Sequence, residues 1–126
     1  SAKVLAKNKI DISKELLKRY SNSSDIEKKF YARSFGYLKT KEALNLIEED
    51  LNNINDVAIK SSLLQSYSSI DPNNEQVINK LEEYKENISE QQGDKIEKEI
   101  LSVQTIMAMS KSTKPDVYEK IIAIAF

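Results

Sequence analysis

Two stretches gather carboxylates densely enough to raise a question of chemistry. "IEEDL" holds Glu48, Glu49 and Asp50, and "LEEYKE" holds Glu82, Glu83 and Glu86. Glu82 and Glu86 are four apart, so on a helix they share a face. Such a pair could hold a cation or divide the work of an acid and a base. Helical carboxylate metal sites usually add a histidine three residues beyond a glutamate, and the chain has no His. No stretch shows the alternating Asp/Asn ligands, central Gly and closing Glu of a calcium loop. The chain also lacks Cys, so thiol nucleophiles, thiolate zinc sites and His-based triads are all excluded. Glu, Lys and Tyr can still move protons. The plainer reading is a solvated acidic helix face, with no catalytic residue, no metal ligand set and no cofactor.

A second set is basic. Lys14, Lys18, Arg19, Lys28, Lys29, Arg33, Lys39 and Lys41 fall within residues 1–41, where eleven Lys/Arg stand against four Asp/Glu, a net of +7. Residues 42–99 reverse the balance, five against fourteen, a net of −9, and residues 100–126 sum to +1. Tyr20, Tyr31 and Tyr37 are interleaved with the cations, and phosphate-backbone binding needs this kind of charge density. Against it, the sequence pI of about 5.6 is acidic, and the acidic middle would repel phosphate. A solvated face, or one half of a self-complementary charge pattern, accounts for the basic set more simply.

Helices must position these residues. Of 126 residues 40 % are apolar and 31 % charged, which suits one domain with a real core and a charged surface. Two Gly and two Pro leave little for turn-rich sheets or Gly-rich phosphate loops. No apolar run approaches the ~20 residues of a membrane span. "SAKVLAKNKI" has no signal-peptide core, Ser1 is compatible with removal of an upstream targeting segment, and the cytoplasm is the default expectation. Apolar residues recur at helical spacing as Ile26, Phe30, Tyr31, Phe35, Leu38, then Leu44, Ile47, Leu51, Ile54, then Ile59, Leu63, Tyr67, Ile70. The pattern continues through Val77, Ile78, Leu81, Tyr84, Ile88, through Ile96, Ile100, Val103, Ile106, Met107, and through Val117, Tyr118, Ile121, Ile122. Capping boxes are expected at Ser24–Glu27 and Asp94–Glu97, N-caps at Thr40 and Asn55, helix openings at Pro72 and Pro115, and a stop at Gly93. These signals predict helices over 2–9, 11–21, 24–38, 41–53, 55–69, 73–89, 94–110 and 115–125. Tyr67 and Tyr84 are expected in the core with their hydroxyls reaching solvent, and Met107 and Met109 as core filler.

The pattern repeats. A shift of 32 lays Tyr31, Ala32, Phe35 and Leu38 on Leu63, Leu64, Tyr67 and Ile70, with Gly36 on the small Ser68. A shift of 34 lays Ala43, Leu44 and Ile47 on Val77, Ile78 and Leu81. The unit is a helical hairpin of about 31–40 residues, which cannot bury its own apolar stripe and must stack on neighbours. "ARSFGYLKTKEALNLIEEDL" followed by "NDVAIKSSLLQSYSSI" resembles the HEAT-like repeat family, best over residues 24–84. Ala32, Phe35-Gly36, Leu38, Ala43-Leu44, Ile47 and Leu51 carry the likeness. Asp25 and Asp56 fit the family's repeat starts, while Lys29 and Lys60 stand where Arg is common. Gly36 would allow close approach of two helices near the hairpin corner. A tetratricopeptide-type array or a plain bundle are the competing architectures.

The resemblance implies an all-α fold, an α/α superhelix or solenoid of three to four antiparallel hairpins, over residues 1–126 as one domain or a piece of a longer array. In such stacks the second helices line the concave side, so the candidate partner-binding residues are Lys14, Lys18, Asn45, Glu48, Glu49, Asn52, Asn79, Glu82, Glu83 and Glu86. The expected function is non-enzymatic: a protein-interaction scaffold whose groove is acidic over its middle and suits a basic peptide or protein. The alternative is nucleic-acid binding through the basic residues 1–41. The terminal run "IIAIAF" is apolar and uncapped, which implies self-association through the last helix or continuation of the array.

Overall fold

Side chains that satisfy the free amides of the first turn set most of the helix starts. Ser24 accepts from the Glu27 amide while Glu27 reaches back to the Ser24 amide, a complete capping box. Asp56, Asn74 and Asp94 cap in the forward direction. In the computed structural model, which describes residues 2–125, the elements are α1 (Ala2–Ser21), α2 (Asp25–Leu38), α3 (Leu44–Asn53), α4 (Val57–Ile70), α5 (Glu75–Asn87), α6 (Lys95–Met109) and α7 (Pro115–Ala125). Short 3₁₀ turns, Lys41–Ala43 and Ile88–Glu90, precede α3 and follow α5. Among the described residues there is no strand, and the all-α class expected from sequence is the observed one. Ser1 and Phe126 lie outside the described residues.

Several boundaries differ from the sequence expectation. The first two helices are one, because neither Gly nor Pro interrupts Lys9-Ile10-Asp11. Thr40 does not cap α3: its buried hydroxyl shares a 2.9 Å hydrogen bond with Ser13 of α1. The cap of α4 is Asp56 rather than Asn55. Pro72 sits in the turn before Asn74, whereas Pro115 does open α7.

Helices α2, α4 and α6 pack in succession, with α4 between the other two. Contacts between equivalent turns make them parallel: Gly36 near the end of α2 meets Ser66 and Ser69 near the end of α4, and Gln65 of α4 bonds Gln104 of α6. Helix α3 packs on α4, α5 on α4 and α6, α7 on α5 and α6, and α1 on α2. The core between them holds Tyr20, Phe35, Ile47, Leu63, Leu64, Tyr67, Ile78, Leu81, Leu101 and Met109, each almost fully buried. Asp50 ties the first three helices together, accepting from the Tyr20 hydroxyl at 2.5 Å and from Lys28 at 3.1 Å.

The apolar stripes of α2 and α6 are turned from their expected phase. Ile26 and Phe30 are exposed, and so are Ile96, Ile100, Val103 and Met107. In α6 the core is reached instead by Leu101, Thr105, Ala108 and Met109. Packing rather than hydrophobicity decides this phase, because Thr105 can bury its hydroxyl on the Leu101 carbonyl.

Gly36 has the role of a close approach, but toward α4 rather than toward the second helix of its own hairpin. A Cβ built there would lie 3.1 Å from the Ser69 Cβ and 3.5 Å from the Ser66 carbonyl oxygen. Gly36→Leu is therefore expected to destabilise the fold by about 1–3 kcal/mol through overpacking. Urea melts check this, and a loss below about 0.3 kcal/mol contradicts the close contact.

Candidate functional site

A concentration of convergent polar groups lies in a cleft of about 380 Å³ between α3 and α5, floored by α4. Helix α3 contributes Glu48, Leu51 and Asn52, α4 contributes Lys60 and Tyr67, and α5 contributes Lys80, Leu81, Glu83, Tyr84 and Asn87. Asn55 before α4 and Glu90, Gln91 and Gln92 after α5 complete the end beside Lys60. Alternation of turns explains the mix. Leu51 and Leu81 belong to the buried stripes, while Glu48, Asn52 and Glu83 flank them on the solvent edge.

A hydrogen-bonded framework fixes the walls. The Tyr67 hydroxyl donates to Glu48 at 2.5 Å, and the Gln76 amide bridges Glu48 and Asn45, each at 3.1 Å. Lys60, only 4 % exposed, donates to the Gln91 side-chain oxygen at 2.9 Å, and Tyr84 donates to the same oxygen at 3.2 Å. Burial pushes the Lys60 ammonium below its ordinary value, with Glu97 opposing in part. Burial raises Tyr67, and its bond to Glu48 raises it further. Tyr84 is raised by burial against a smaller opposing effect of Gln91.

These shifts bear on chemistry. A phenol held protonated is a hydrogen-bond donor and a poor base or nucleophile. Among the described residues no group of three or more acidic side chains gathers to hold a metal ion. The cleft instead presents five side-chain amides, Asn52, Asn55, Asn87, Gln91 and Gln92. Asn52, Asn55, Asn87 and Gln92 can each both donate and accept, and Gln91, whose oxygen is taken by Lys60 and Tyr84, can donate, which matches the alternating groups of a peptide backbone.

Of the ten residues singled out from sequence, Glu48, Asn52 and Glu83 line this cleft, and Asn45 braces its edge through Gln76. Glu49 and Asn79 are exposed outside it. Glu82 turns toward α7 and lies 3.5 Å from Lys120. Glu86 borders a separate hollow between α5 and α6 with Lys95, Lys98 and Glu99. Lys14 is exposed on α1, and Lys18 lines a shallow hollow beside Arg19 and Tyr31. Sequence reading missed Lys60, Gln91 and the hydroxyl roles of Tyr67 and Tyr84. Lys60 occupies an inward turn of α4, a phase the surrounding Ile59 and Leu63 do reveal, whereas Gln91 follows a 3₁₀ turn and carries no periodic signal.

No family model, no curated protein and no solved structure matches this chain.

The protonated phenol yields a pH test. Below pH 10 both folded and unfolded chains hold the Tyr67 proton, and its contribution is intact. As pH rises past the ordinary value of 10.0, the unfolded chain loses the proton while the folded chain retains it, so stability falls. Tyr67→Phe is expected to flatten the alkaline slope of urea stability, by at most about 1.4 kcal/mol at pH 11 less whatever solvent screening removes. An unchanged slope in the variant contradicts the buried, carboxylate-bonded phenol.

Proposed function

We propose that the chain is a non-enzymatic protein-interaction scaffold, an α/α superhelix of HEAT-like hairpins that binds an extended basic segment of a partner in the α3/α5 cleft. The parallel succession of α2, α4 and α6, with α3, α5 and α7 joined to it, supports the stacked-hairpin reading. The observation that carries the functional reading is the lining of the cleft. Side-chain amides stand on both walls and at one end, Leu51 and Leu81 add apolar surface to the walls, and Glu48, Glu83 and Glu90 supply the negative charge. Lys80 lies 3.6 Å from Glu83 but is half-exposed and free to swing away, and Lys60 is drawn inward to Gln91. A lysine or arginine of the partner would meet carboxylates at the rim, while its backbone would meet the amides. Charge at such a rim acts mainly on association rate and on partner choice. The terminal helix leaves Tyr118 and Ile122 exposed, 67 % and 43 %, which suits self-association or a following hairpin.

Titration of the ¹⁵N-labelled chain with short Lys/Arg-rich peptides tests this reading. Amide shifts are expected at Asn52, Tyr84, Asn87 and Gln91, weakening with salt. Glu83→Lys combined with Glu90→Lys, both at exposed positions, is expected to weaken binding about tenfold without altering the melting temperature. Shifts confined to α1, or preferential binding of duplex DNA lost on replacing Lys14 and Lys18, would instead favour nucleic-acid binding by residues 1–41.

A further inference from the structure

The opposite side of α4 carries a second surface of different character. Counted from the caps Ser24, Asp56 and Asp94, the positions two, six, nine and thirteen residues on point away from the core. On α6 these are Ile96, Ile100, Val103 and Met107, a continuous apolar row whose members are 42–68 % exposed. On α4 they are Ala58, Ser62, Gln65 and Ser69, three of them small and the fourth bonded sideways to Gln104. On α2 they are Ile26, Phe30, Arg33 and Tyr37, all exposed. Short residues on the middle helix between longer ones on its neighbours make a trough of about 580 Å³, lined by Arg33, Tyr37, Ser62, Ser69 and Gln104 among others. Packed helices lie about 8–10 Å apart, so α2 and α6 stand roughly two such spacings from each other. A further helix of about 10–12 Å diameter fits between them over α4.

Both flanks carry exposed apolar side chains. On α6 Gln104 lines the trough and the apolar row lies on the outward face beside it. On α2 Ile26, Phe30 and Tyr37 accompany the cation Arg33, and Lys39 follows just beyond the end of the helix. Lys39 donates to the Ser69 carbonyl, and Lys111, arriving from the far side, donates to the Gln65 carbonyl at 2.6 Å and to the Ser69 hydroxyl at 2.9 Å. Among the described residues none of Arg33, Lys39 and Lys111 has a carboxylate within ion-pair distance, so their charge is open to a partner. Lys111 is held below its ordinary value first by burial and then by the charge of Lys39. Two ammonium groups thus crowd one helix end with only neutral acceptors between them. The opposite end of the trough carries Asp56, Asp94 and Glu97.

We propose that this trough docks an amphipathic α-helix of an acidic protein partner, its apolar stripe on Ile100, Val103 and Met107 and its carboxylates on Arg33, Lys39 and Lys111. The row Ile96–Met107 spans about three helical turns, so the occupant needs roughly 12–15 residues. Acidic residues favour the first turn of a helix. The occupant therefore runs antiparallel to α4, with its N-terminal turn at the Lys39 and Lys111 end. An apolar row beside unpaired cations selects this partner over nucleic acid, which has no use for four exposed aliphatic side chains on one wall.

A displayed library of helical peptides of about 15 residues, randomised at the surface positions, is the probe, selected on the full chain. Recovered peptides are expected to carry apolar residues at alternating spacings of three and four, with Asp or Glu concentrated in the N-terminal half. Val103→Ser and Arg33→Glu, both at exposed positions, should each weaken the tightest peptide about tenfold or more while leaving the melting temperature unchanged. Glu83→Lys in the opposite cleft should leave this affinity unchanged, which separates the proposal from the cleft reading. Failure to recover binders, recovery of basic peptides, or binders indifferent to both trough substitutions would overturn it. So would duplex DNA whose binding depends on Arg33 and not on Val103. Self-association in sedimentation that Val103→Ser abolishes would assign the trough to a second copy and likewise overturn the proposal.

Discussion

Helix α4 has neighbours on every side but one, and the contact that permits this is the approach of α2 at Gly36. Helix packing at ordinary spacing needs side chains on both surfaces to interdigitate. Here one surface offers no side chain and the other offers Ser66 and Ser69. That approach brings α2 alongside α4 in parallel, which leaves the other flank of α4 for α6 and its underside for α3 and α5. Lys39 and Lys111 then reach the last turn of α4 from opposite directions and satisfy its outer carbonyls. Cations at a helix C-terminus also offset the negative end of its dipole. The same serines that allow the packing create the trough on the outer surface.

Away from that contact, phenols and carboxylates hold the helices in register. Tyr20 donates to Asp50 and Tyr67 donates to Glu48, each at 2.5 Å. Both phenols are raised above their ordinary value, by burial first and by the carboxylate second. A neutral donor to a carboxylate carries less desolvation cost than a buried ion pair. It also leaves the negative charge of Glu48 available at the cleft edge. Where a true ion pair does reach inward, at Lys28 and Asp50, the Tyr20 ring lies beneath the ammonium, 5.3 Å from it, and the Tyr20 hydroxyl shares the carboxylate. Three adjacent acids in "IEEDL" thereby take three directions. Glu48 faces the cleft, Glu49 faces solvent and Asp50 joins α1, α2 and α3, as a turn of 3.6 residues requires.

The elements were readable, and so were the caps Ser24 and Asp94, because both signals are local. Ser24–Glu27 and Pro115 act where periodicity and capping chemistry put them. Thr40 was not readable as a tertiary residue, since its partner Ser13 lies 27 positions away. The phase of α6 was misread for a related reason. Periodicity gives the spacing of a stripe, but which of two apolar stripes turns inward depends on the helices it meets. Leu101, Ala108 and Met109 lie inward and Ile100, Val103 and Met107 outward, with Gln104 bonded to Gln65 of α4 and Thr105 burying its hydroxyl on the Leu101 carbonyl. Of the site, the acids and amides of the second helices were visible. Lys60, Gln91 and the division of Glu82 and Glu86 between other neighbours depend on three-dimensional pairing and were not.

The net charge of −1 conceals two local fields that differ in sign. The cleft with Glu48, Glu83 and Glu90 and the trough with Arg33, Lys39 and Lys111 lie on opposite faces of α4. A helix with its side chains is about 10–12 Å thick, while the screening length at physiological ionic strength is about 8 Å. Each field is therefore felt by what approaches its own face and is largely screened at the other. Sequence segments encode the same separation. The basic residues 1–41 form α1, α2 and the start of the trough wall, and the acidic residues 42–99 supply α3, α5 and the cleft. Because α4 lends its inner side to one surface and its outer side to the other, its own charge must stay low. It carries a single ionisable side chain other than tyrosine, Lys60, drawn inward to Gln91. A charged residue at Ser62 or Ser69 would add to one field at the expense of the packing that separates the two.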